Sequence, residues 1–142
     1  MAAGAAYRDR VVDRELEERL GAIGAVLIEG PKACGKTETA TQQASTTFRL
    51  DVDQAARNAA TYAPEALLDS PGPVLLDEWQ LAPLLWDHVR RAVDDRSPDK
   101  GLFIMTGSAT PREDATRHSG AGRIAVIQMR PMSLLESGHS TG

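Results

Sequence analysis

Apolar residues along this chain fall into short unbroken runs separated by longer polar stretches. Ala25-Val26-Leu27-Ile28, Val74-Leu75-Leu76 and Leu102-Phe103-Ile104-Met105 are runs suited to strands buried on both faces. Thr46 to Leu50 is rich in β-formers and predicts another strand, and Arg123 to Met129 a further one. Between the runs the period changes. Val12, Leu16 and Leu20 step by four residues through Tyr7–Leu20, and Gly21 ends that helix. Glu38–Ala44 holds no Pro or Gly and can run as a helix, and Gln54–Ala60 predicts another, with Asp53 either capping it or facing the ligand edge of the sheet. Glu65–Asp69 is a short helical piece. Leu84–Asp94 carries Leu85, Val89 and Val93 on one stripe. Strands alternating with helices predict an α/β fold, a mostly parallel sheet with helices on both faces.

The chemistry lies where the strands end. Gly30-Pro31-Lys32-Ala33-Cys34-Gly35-Lys36-Thr37 reads G-x-x-x-x-G-K-[ST], the Walker A pattern of a phosphate-cradling P-loop, and it sits between a predicted strand and a predicted helix. The glycines let backbone N–H groups turn inward, and the helix start favours an anion. Lys36 would place its charge on the β- and γ-phosphates, and Thr37 would offer its hydroxyl to Mg²⁺. The second run ends in Asp77-Glu78. A parallel strand beside the first would bring Asp77 to the loop to hold the metal, with Glu78 as general base toward water. The third run ends in Thr106-Gly107-Ser108, whose hydroxyls would face a γ-phosphate or a water. Cys34 is either a small residue at a tolerant place or a thiol whose oxidation blocks the phosphate seat. His88, inside a predicted helix, reads as a surface or boundary residue.

Composition narrows the reading without changing it. The 142 residues suit one domain, with 42% hydrophobic, 25% charged and only 4% aromatic residues, so the core is aliphatic. A net charge of −4 argues against a broad nucleic-acid footprint. One cysteine excludes an intrachain disulfide and fits a reducing compartment. No run reaches membrane-spanning length, and the N-terminus has no signal-peptide apolar region, so the expected compartment is the cytoplasm, with no membrane partner.

Taken together, the motifs resemble the AAA-type ATP-binding domain of bacterial and archaeal ATPases that usually carry a C-terminal domain of unknown function. The matching stretches are Gly30–Thr37, Leu75-Leu76-Asp77-Glu78-Trp79-Gln80-Leu81-Ala82-Pro83, Ile104–Ser108, Gly122-Arg123 and Arg130-Pro131-Met132-Ser133-Leu134-Leu135-Glu136. The resemblance implies a three-layer αβα sandwich of the P-loop NTPase kind, with a mostly parallel sheet of about five strands. It implies ATP and Mg²⁺ as cofactors. Lys36 and Thr37 match the phosphate and metal contacts, Asp77 and Glu78 the metal-associated and water-activating carboxylates, and Thr106, or Ser108, the γ-phosphate sensor. Arg123 matches a conspicuous arginine that could act as a finger in cis or from a second subunit, or else be a strand-edge arginine paired with an Asp or Glu. Such proteins continue into a helical lid and a further domain. Residues 1–142 are therefore expected to form the ATP-binding core alone.

Three functions remain open on these residues. The first is an ATPase. The second is a P-loop kinase acting on a small metabolite. The third is a nucleotide-gated module with little turnover that meets a protein or DNA partner through regions outside this chain, or assembles with copies of itself. Carboxylates at a strand end favour water as the phosphoryl acceptor.

Overall fold

The computed structural model describes residues 11–30, 35–107 and 123–129. Within them five strands, β1 (Ala25–Glu29), β2 (Thr46–Arg49), β3 (Val74–Asp77), β4 (Phe103–Gly107) and β5 (Ile124–Gln128), form one sheet in the order β2-β3-β4-β1-β5. Every pairing is parallel. Helices α1 (Val11–Leu20), α2 (Lys36–Gln43), α3 (Gln54–Tyr62), α4 (Glu65–Leu68) and α5 (Leu85–Asp95), with one 3₁₀ turn at Trp79–Leu81, make the connections. The fold is α/β, as the alternation of runs predicts.

Period two along the buried strands divides the core between two layers. Ala25 and Leu27 of β1, Val74 and Leu76 of β3, and Phe103 and Met105 of β4 face one layer, with Trp79, Trp86, Leu85, Val89 and the buried alanines of α3. Val26, Ile28, Leu75, Ile104 and Ile127 face the other, under Val12, Leu16 and Leu20 of α1 and Ala40 of α2. Each fully buried Leu or Ile contributes about 1.5–3 kcal/mol, so these two layers hold the sheet between its helices. Edge strand β2 alternates between half-buried and exposed positions, whereas β1, β3 and β4 are buried throughout. Gly24 fits closely under α5, where an added Cβ would lie 2.6 Å from Val93 Cγ1.

Element ends follow local chemistry. Asp53 caps α3 by accepting from the Ala56 N–H at 3.0 Å, so it serves the helix and not the ligand edge. Glu15 and Arg19 pair at 3.7 Å on the solvent side of α1. Among the described residues no helix is long and apolar enough to cross a membrane.

The strand order corrects one expectation. β3 does not lie beside β1; β4 is inserted between them. The apolar runs specify strands but carry no information on which buried strand neighbours which.

Candidate nucleotide site

All five strands point the same way, so their carboxyl ends share one edge of the sheet. One rung near that edge runs Arg49, Asp77, Thr106, Ile28 and Ile127 across the sheet. Register therefore places Thr106 between Asp77 and the strand that leads into Gly30. Leu75 and Ile104 face the α2 layer, and period two carries Asp77 and Thr106 to the same side.

At the start of α2, Gly35 takes φ 89° and ψ 18°, a left-handed geometry that a side chain disfavours. Lys36 opens the helix, is 5% exposed, and donates from Nζ to the Gly30 carbonyl at 2.8 Å. The ammonium group thus ties the first residue of α2 to the residue that follows β1. The first turn of a helix has N–H groups without intrahelical partners, and they are directed at this edge.

The Thr37 hydroxyl donates to Asp77 Oδ1 at 2.7 Å. The Thr106 hydroxyl donates to the same oxygen at 2.5 Å and accepts from the Glu78 N–H at 3.1 Å. Asp77 is 1% exposed and Thr106 fully buried. Asp77 Oδ2 faces Arg49 Nε at 3.6 Å, and Arg49 also reaches Asp51 at 3.8 Å. A buried carboxylate is costly unless its lone pairs are met, and here two hydroxyls and one guanidinium meet them.

Glu78 follows with φ 63° and ψ 52°, the only non-glycine residue with positive φ among those described. Such a conformation costs about 1–3 kcal/mol and persists where neighbours enforce it. The neighbour is Trp79, 2% exposed and packed on Trp86 with ring centroids 5.4 Å apart. Burying that indole turns the chain sharply after β3 and sets the Glu78 carboxylate at the edge, where Oε1 accepts from Gln80 Nε2 at 2.6 Å.

Lys36, Thr37, Asp77, Glu78 and Thr106 are thus gathered at one edge with Gly30 and Gly35. Pro31, Lys32, Ala33 and Cys34 of the loop, and Ser108, lie outside the described residues, as do 130–136. Arg123 is not gathered. It stands just before β5, at the opposite, amino edge, and its Nε pairs with Asp94 Oδ1 at 2.6 Å. The structure thus places Arg123 at the end of the sheet away from Glu78. His88 lines a separate recess of about 360 Å³ with Glu65, Asp69 and Arg96, away from the strand ends.

Two participants escape the sequence reading. Arg49 ends β2, and only the register with Asp77 reveals it. Gln80 stands inside the motif, but its grip on Glu78 depends on the left-handed turn between them.

A family model described as an AAA domain matches residues 23–137, from the turn before β1 to beyond β5. The chain belongs to the AAA domain family. Membership carries a nucleotide-binding function of the ATPase type. A search of curated proteins finds no match to the chain. In this AAA domain the matched segment includes every residue of the edge cluster.

Proposed function

We propose that this AAA domain binds ATP with Mg²⁺ and hydrolyses it to ADP and phosphate. The observation that carries the reading is the shared Asp77 Oδ1, which receives both Thr37 and Thr106 where the phosphate-loop helix begins. Hard oxygen donors lying side by side suit Mg²⁺, which needs only one or two protein ligands when phosphates and water supply the rest. No cluster of three or more Asp, Glu, His or Cys exists among the described residues, and that mode of binding requires none. Thr37 and Asp77 would hold the ion. When bound, Mg²⁺ draws charge off the β- and γ-phosphate oxygens.

The chain's own residues do the rest. Gly30 to Gly35 and the first N–H groups of α2 seat the phosphates, and Lys36 balances their charge. Glu78 takes a proton from water as the water oxygen bonds to the γ-phosphorus. The bond to the bridging oxygen breaks, and ADP leaves with its electron pair. General-base assistance of this kind supplies roughly 10²–10⁴ in rate. Thr106 orients Asp77 and ties it to the Glu78 backbone, so the metal-side and water-side carboxylates are set by one hydroxyl.

A phosphate-release assay with ATP and Mg²⁺, without any added acceptor, tests the reading. Release that stops with EDTA and with Lys36→Ala is expected. Binding of ATP without release would replace hydrolysis by a nucleotide-gated switch, and release only with an added metabolite would replace it by phosphoryl transfer.

A further inference from the structure

Gln80 lies two residues beyond Glu78, on the 3₁₀ turn that Trp79 anchors. Its Nε2 donates to Glu78 Oε1 at 2.6 Å. A carboxylate only accepts, so it fixes which end of the carboxamide faces it. The other end, Oε1, is buried with no hydrogen-bond partner among the described residues. It packs on Gly107, where an added Cβ would lie 2.5 Å from Oε1 and 2.9 Å from Trp79 Nε1. The carboxamide is thus wedged between the end of β4 and the Glu78 carboxylate. An orphaned buried acceptor is unfavourable for folding, so packing alone does not account for an amide at this place.

We propose that Gln80 is a positioning residue for Glu78. Its Nε2 holds Oε1 of the carboxylate and leaves Oε2 to receive a proton from water. Gly107 makes room for the wedge. This inference rests on Glu78 acting as the water-activating group.

The test uses Gln80→Met, which keeps length and bulk without the donor, and Gln80→Asn, which keeps the amide but withdraws it by one methylene. Phosphate release, ATP affinity and thermal midpoint are measured for each, alone and with Glu78→Gln. Both variants are expected to lose at least about tenfold in kcat, while ATP affinity and thermal midpoint stay near those of the parent chain. On the Glu78→Gln background neither variant is expected to lower the residual rate further, because the group it positions is already gone. Unchanged kcat in Gln80→Met overturns the positioning role. So does a parallel loss of ATP affinity and thermal stability, or an undiminished further loss on the Glu78→Gln background. Parent-level turnover in Glu78→Gln alone would instead bring down the hydrolytic reading, and this inference with it.

Discussion

Thr37 and Asp77, 40 positions apart in the chain, are joined by a 2.7 Å hydrogen bond from the hydroxyl to Oδ1. It ties the first turn of α2 to the end of β3 across the intervening strand β4. If this is where Mg²⁺ is held, Asp77→Asn removes the charge and keeps the shape. ATP affinity in Asp77→Asn is expected to become the same with Mg²⁺ as with EDTA, by titration of a fluorescent ATP analogue. A Mg²⁺ effect equal to that of the parent chain would contradict the assignment.

Thr106 is fully buried and makes two bonds, to Asp77 and from the Glu78 N–H. Thr106→Val keeps the shape, leaves the Glu78 N–H without its acceptor and removes one of the two hydroxyls that meet Asp77 Oδ1. A cost of about 1–3 kcal/mol is expected, read as a lowered midpoint in urea unfolding. Turnover is expected to fall with it, because Asp77 and Glu78 lose their common tether.

Arg49 stands 3.6 Å from Asp77 Oδ2 with about half its side chain exposed (52%). Its positive charge competes with any cation drawn to that carboxylate, although solvent weakens the competition. Arg49→Ala is expected to lower the Mg²⁺ concentration needed for half-maximal ATP binding by roughly two- to fivefold. A rise in that concentration would mean that Arg49 assists the ligand directly.

Arg123 pairs with Asp94 at the amino edge, and both side chains are more than a third exposed (39% and 52%). Arg123→Ala is expected to change stability by less than about 1 kcal/mol. In dilute protein its turnover is expected to match the parent chain. A deficit that grows with protein concentration would instead assign Arg123 to a neighbouring subunit's site.

Much of the fold is legible in the hydrophobic pattern, because strands buried on both faces must be continuously apolar. The runs 25–28, 74–76 and 102–105 could hardly be anything else once helical spacing appears between them. The positions of Asp77 and Thr106 at strand ends, and of Lys36 and Thr37 at the start of the helix after the first strand, follow from the same runs. The order of the strands does not. Placing β4 between β1 and β3 is a tertiary choice, and it makes Thr106 the bridge to Asp77. Arg123 and Arg49 show the same limit. Each borders a strand, yet one stands at the amino edge and the other at the carboxyl edge, and only the register assigns them. The left-handed turn at Glu78 is legible only when Trp79 is seen to be buried beneath it.

The most direct measurement is paired ATP binding and phosphate release in Glu78→Gln. This substitution leaves Lys36, Thr37 and Asp77 in place and removes only the carboxylate proposed as the proton acceptor. ATP affinity equal to that of the parent chain is expected, with turnover lower by roughly 10²–10⁴. Phosphate release at the parent rate would contradict the account.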